Sequence, residues 1–160
     1  MAYLKAIYRD YSTCCKNFSD GIEYLQRRAI QEASRSFQQA CDSVSTSHSF
    51  QNKYISYLGF ARLLSGDIDG IKLCRKAALE EIRDGDVFLN LARAEFLLKS
   101  RRRTVLALER GLEIDSHHEG LWLMRNRLGI RKRKLLPFLQ RAHPLNIRLG
   151  CLVRKNKKRC

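Results

Sequence analysis

Apolar residues recur along this chain at intervals of three and four, separated by charged and polar positions. In the stretch VFLNLARAEFLL, residues Phe88, Leu91, Ala92, Glu95 and Phe96 fall on one face. The stretch TVLALERGLEI repeats the spacing with Val105, Leu108, Gly111 and Leu112. That interval places side chains on a single stripe of a 3.6-residue helix. The alternation expected of a half-buried strand bounded by Gly or Pro is not found. Interruptions are brief, as in Ser65-Gly66-Asp67 and Lys99-Ser100-Arg101. The pattern predicts helices of about a dozen residues joined by tight turns, which sets neighbours antiparallel. The expected class is all-α.

The helix pairs carry residues at recurring offsets. The first unit supplies Gly21, Tyr24, Ala33, Phe37 and Ala40, and the second Leu58-Gly59, the turn Ser65 to Asp67, then Gly70, Cys74 and Ala77. The third supplies Leu91-Ala92, Leu108, Gly111 and the ending Leu112 to Ser116, and Trp122 follows 34 residues after Phe88. This arrangement resembles the tetratricopeptide repeat, over roughly residues 17–133. The resemblance implies an α–α superhelix, a short solenoid of about three helix hairpins. Small residues at Gly21, Gly59 and Ala92 would let paired helices approach, while Phe37 and Leu108 would fill the groove between them. A single hairpin cannot bury its apolar side, but a stack makes one continuous core. The fourth unit starts at Trp122 and then fails at LLPFLQRAHPLN, where Pro137 and Pro144 stop a long helix. Pro144 suits a helix start, and Leu145, Leu149, Leu152 and Val153 form a stripe for a divergent cap. Residues 1–135 are therefore expected to form the array, led by an N-terminal helix bearing Tyr3, Ile7, Tyr8 and Tyr11. Residues 136–160 are expected as a basic capping segment and tail.

Composition adds charge to this picture. The 160 residues are 44% hydrophobic with two prolines, which is enough to bury one core. Residues 1–119 hold 18 Lys and Arg with all 16 Asp and Glu, whereas residues 120–160 hold 13 Lys and Arg and no acid. A near-balanced body carries a cationic end. The apolar runs are too short for a membrane span, and the first residues lack the apolar core of a secretory signal, so a cytoplasmic location is expected. The six cysteines form no C-x-x-C pair and match no zinc spacing. Cys41 and Cys74 lie on apolar faces, where a reduced thiol serves as a small hydrophobe.

No nucleophile elbow, phosphate loop, dinucleotide fingerprint or zinc-protease motif is present, so no enzyme activity, metal or cofactor is expected. His117-His118 reads as a solvated turn, and Glu80-Glu81 and Asp84-Gly85-Asp86 as helix-end and helix-start acids. In the resembled family the first helix of each pair lines a groove that holds an extended peptide or helix. Carried onto this chain, that groove takes Lys53, Tyr57, Phe60, Asn90, Arg93, Arg127 and Arg131, with Ser56, Asp86, Leu89, Leu123 and Met124 beside them. The implied function is a non-catalytic adaptor that binds another protein through a peptide or amphipathic helix, an acidic one included. The alternative is contact with nucleic acid or another polyanion through Arg131, Lys132, Arg133, Lys134, Arg148, Arg154 and Lys155.

Overall fold

The structure is a computed structural model, and it describes residues 14–45, 47–130, 143–145 and 148–149. Among these residues are seven helices and no strand: α1 (Lys16–Gln26), α2 (Ile30–Asp42), α3 (Gln51–Leu64), α4 (Gly70–Glu80), α5 (Gly85–Leu97), α6 (Arg101–Ile114) and α7 (Glu119–Arg127). Each helix packs on the next, and α3 also packs on α5, and α5 on α7. Contact with both the following helix and the next but one is the connectivity of an all-α superhelical array. The expected N-terminal helix and most of the C-terminal cap lie outside the described residues.

One turn recurs through the array. The helices α1, α3, α5 and α7 all end on a left-handed residue: Arg28 (φ 64°), Gly66 (φ 97°), Lys99 (φ 57°) and Gly129 (φ 61°). At each, the following residue's N–H reaches back to a carbonyl five positions earlier, as from Asp67 to Arg62 (3.0 Å) and Ser100 to Glu95 (2.9 Å). This is the Schellman closure, and it satisfies the last-turn carbonyls while reversing the chain into α2, α4 and α6. The turn from α4 into α5 is built differently. Glu81 Oε1 accepts the backbone N–H groups of Ile82 (3.0 Å), Arg83 (2.8 Å) and Asp84 (3.1 Å), and Asp84 Oδ1 then caps α5 by accepting from Asp86 N–H (2.8 Å).

Close approach within hairpins follows from the small residues. A Cβ on Gly59 would stand 2.6 Å from the Gly70 carbonyl oxygen and 2.9 Å from Cys74 Sγ. α3 and α4 therefore meet backbone to backbone. A Cβ on Gly21 would strike the Phe37 ring at 2.6 Å, so the absence of a side chain there lets the ring pack directly against α1. Two apolar clusters result. One joins α1 to α4 around Phe18, Phe37, Tyr54, Tyr57 and Phe60, and the other joins α4 to α7 around Val87, Phe88, Leu108 and Leu121. Ile55 and Leu91 touch both. The two clusters thus act as one continuous core.

Candidate functional site

The groove residues expected from the sequence are gathered on the seam of α3 and α5, but most are spent on packing. Tyr57 (4% exposed), Phe60 (2%) and Asn90 (0%) are buried. Tyr57 meets the rings of Phe18 (5.1 Å) and Phe37 (5.4 Å), and Asn90 donates to Ser56 Oγ (3.1 Å) across the seam. Arg93 is half-buried, with its guanidinium 5.8 Å from the Phe60 ring and an amine 3.4 Å from Asn90 Oδ1. Leu89 and Met124 are also core, whereas Leu123 and Arg127 are exposed on α7. The open trough expected along α3 and α5 is thus filled at Tyr57, Phe60 and Asn90. The physical reason is packing on two sides: α1 and α2 cover Tyr57 through Phe18 and Phe37, while α3 and α5 lie side by side and bring Asn90 onto Ser56 and Arg93 over Phe60. Of the basic patch, Arg148 is exposed; Arg131, Lys132, Arg133, Lys134, Arg154 and Lys155 lie outside the described residues.

Lys53 belongs to a charged network that sequence reading missed. Its ammonium lies 3.0 Å from Asp84 Oδ2 and 3.3 Å from Asp86 Oδ2. Burial works to lower the Lys53 pKa, but attraction and hydrogen bonding to Asp84 and Asp86 outweigh it and raise the value. Asp86 Oδ1 in turn meets His118 Nε2 at 3.0 Å. The His118 ring, expected as solvated, is 2% exposed. Its Nδ1 accepts the Leu121 N–H (3.3 Å) as the cap of α7, which puts the ring proton on Nε2, where it donates to Asp86. A Cβ on Gly85 would collide with this ring, so the glycine between two aspartates makes room for the histidine. His117, its neighbour, is exposed. The network is a tie between hairpins. Among the described residues no group of three or more His, Cys, Asp or Glu is placed to hold a metal.

An open site does exist, on the opposite set of helices. α4 and α6 both pack on α5, and a cleft of about 310 Å³ opens between them. Ala78 and Leu79 of α4 form one wall, and Leu106 and Ala107 of α6 form the other. Phe88, Leu91 and Glu95 of α5 make the floor. Leu79, 73% exposed, stands at the lip. Three arginines edge the cleft: Arg75, Arg103 and Arg110. The Arg110 guanidinium lies 5.5 Å from the Phe88 ring, a cation–π contact that holds its charge over the apolar floor. Arg75 donates to Glu95 Oε1 through both Nε (2.8 Å) and a terminal amine (2.7 Å). Glu95 is 2% exposed, and its second oxygen, Oε2, is closed to solvent without a hydrogen-bond partner. A buried carboxylate oxygen left unmet is costly and uncommon.

The signal for this site was present in the sequence, in a glutamate on the apolar stripe of α5 and in the run Arg101-Arg102-Arg103. Three cations in the first turn of α6 oppose the helix dipole, so helix stability does not account for them. Arg101 does have a structural task, donating to the Leu128 carbonyl (2.9 Å) at the end of α7. Arg102 and Arg103 are exposed. Among the described residues no helix is long and apolar enough to cross a membrane. No protein-family model matches this chain, and no curated protein sequence matches it.

Proposed function

We propose that this chain is a non-catalytic adaptor that holds an acidic, amphipathic segment of another protein, seated in the cleft between α4 and α6. The carrying observation is the contrast between the two sides of the array. Polar groups on the α3 and α5 seam are consumed by packing, while the α4 and α6 side keeps an apolar hollow edged by Arg75, Arg103 and Arg110. A helix laid along such a hollow buries its apolar face and offers carboxylates to the rim. The tetratricopeptide-like spacing supports the same class of function. Free, buried Cys41 and Cys74 suit a reducing cytoplasm.

The test is fluorescence polarisation of the full-length chain with a labelled helical peptide carrying leucines at i, i+3, i+4 and i+7 and glutamates on both flanks. Saturable binding is expected, weakened several-fold by Arg103→Glu and by Arg110→Glu and reduced by added salt. Binding indifferent to both substitutions would remove the cleft as the seat. The second reading, polyanion contact, is favoured by exposed Arg102 and Arg103. A generic single-stranded oligonucleotide would then bind with a log–log salt slope near the number of phosphates neutralised.

A further inference from the structure

The two walls of the cleft run in one direction, and each carries its charges against its own helix dipole. We infer that the cleft is a polarised seat. The segment it takes bears acid at one end and base at the other, with the acidic end at the start of α6 and the basic end where α4 and α6 finish. This polarity rests on the adaptor reading and narrows it, from an acidic partner to one whose charges are segregated.

Short turns join α5 to α4 before it and to α6 after it, so α4 and α6 both run antiparallel to α5 and share a direction. Contacts with α5 fix which end is which. Arg110, late in α6, lies over Phe88 near the start of α5, and Arg75 reaches Glu95 near its end. In α4 the cations Lys72, Arg75 and Lys76 precede the one acid, Glu80, at the last position. In α6 Arg101, Arg102 and Arg103 open the helix, and Glu109 and Glu113 come in its second half. Neither helix has an acid in its first turn or a base in its last. α7 shows the opposite, stabilising order, with Glu119 first and Arg125 and Arg127 last. Arg102, Arg103, Glu80 and Glu113 are exposed, and none makes an ion pair among the described residues. Arg103 lines the cleft, and Glu113 stands one turn beyond Arg110, which also lines it. The helix from Arg103 to Glu113 spans about 15 Å. Arg83 and Arg110 are cations at the acidic end, outnumbered there by Glu80, Glu109, Glu113 and Asp115. Charge set against the dipole weakens a helix, so the folding of α4 and α6 does not account for this order. A guest with segregated charge meets it at both ends, whereas Glu80 and Glu113 repel one that is acidic throughout. A second copy is disfavoured by the net charge of +15. Full side-chain charges outweigh the half charges of a backbone dipole, so charge order rather than chain direction sets the pose.

The experiment uses isotopically labelled full-length protein and three helical peptides of one composition, with leucines at i, i+3, i+4 and i+7. The first has glutamates in its opening turns and lysines in its closing turns. The second reverses that order, and the third mixes both signs throughout. A nitroxide marks the glutamate end of the first two. With both, NMR line broadening is expected on the amides of Arg101 to Arg103 and not on those of Glu113 to Asp115, so the two chains lie in opposite directions. The mixed peptide should bind about three- to fivefold more weakly. Exchanging the charges by Arg102→Glu and Arg103→Glu with Glu80→Arg and Glu113→Arg keeps the net charge and alters only exposed positions. That variant should turn the first peptide round and move the broadening to the end of α6. It also aligns α4 and α6 with their dipoles, so its thermal midpoint should match or exceed the wild type and its fold should survive. Broadening that follows chain direction instead of charge, or a mixed peptide that binds as tightly, would overturn the inference. If that happens while the peptides still shift Leu79, Leu106 and Ala107, the adaptor reading stands without it. If no peptide perturbs those amides, both fall. A single-stranded oligonucleotide that displaces both peptides from the cleft would also overturn it, in favour of a polyanion site.

Discussion

Two thiols show how a single buried group sets the chain's response to alkali. Cys74 is fully buried and donates to the Ser56 carbonyl (3.4 Å), and burial pushes its pKa from the ordinary 9.0 up to about 12. Cys41 is raised to about 12 as well, chiefly by burial and then by neighbouring Asp42. The native state therefore keeps both protons where the unfolded chain would release them. Their stabilising effect is complete below pH 9 and is lost as pH climbs from 9 toward 12. Lys53, also raised, acts in the same direction above its ordinary 10.5, where losing its proton would strand Asp84 and Asp86. Thermal midpoints should be flat from neutrality to about pH 9 and then fall. Cys74→Ala should flatten the first part of that fall, and iodoacetamide at pH 8 should spare Cys41 and Cys74 in the native protein. The burial of these two cysteines was legible in the sequence, because each sits on an apolar stripe with helical spacing. The burial of His118 was not. Its partner Asp86 lies 32 residues away, and nothing local distinguishes it from exposed His117.

At the level of elements, the repeated helix ending sets the reversal of each hairpin, and its cost differs among the four copies. Gly66 and Gly129 adopt positive φ freely, whereas Arg28 and Lys99 carry a Cβ into the left-handed region. Arg28→Gly and Lys99→Gly should each stabilise the fold, by about 0.5–1 kcal/mol, since neither side chain is buried. The reverse change, Gly66→Ala, should cost about 1 kcal/mol despite having empty space around the new methyl. Urea unfolding at fixed m-value would read all three. Destabilisation by Lys99→Gly would mean that its side chain, rather than the turn geometry, holds α5 against α6. The sequence disclosed the turn at Ser65 to Asp67 through its glycine and placed another near Lys99. It hid that the turns are one motif, because arginine and lysine carry no mark of the left-handed backbone. Helix pairing was more visible. Gly21, Gly59 and Ala92 announced close approach, though not that Gly59 would face a second glycine, Gly70. The cleft was less legible still, since it arises where α4 and α6 fail to close over α5, a property of three elements together.

Across the whole molecule, Asp86 is the hinge of the charge network. At the start of α5 it is tied backward to Lys53 on α3 and forward to His118 at the head of α7. In an array whose stability is a sum of units and interfaces, such ties decide whether the units unfold together. Asp86→Ala removes the anchor from both neighbours, and loss of one member of a buried pair costs about 3–5 kcal/mol. The cost should fall near the lower end, because Lys53 keeps Asp84 at 3.0 Å. His118→Ala breaks only the forward tie and the α7 cap, so its effect should be confined to one end. Hydrogen exchange separates these outcomes. In His118→Ala, amides of α7 should lose protection first, while those of α1 to α4 keep the wild-type values. In Asp86→Ala, the urea transition should broaden and its apparent m-value should drop, as the two apolar clusters begin to unfold apart. An unchanged m-value with uniform loss of protection would mean that Ile55 and Leu91, which touch both clusters, couple the array without the network. That result would assign cooperativity to packing and leave the charges only the task of capping helices.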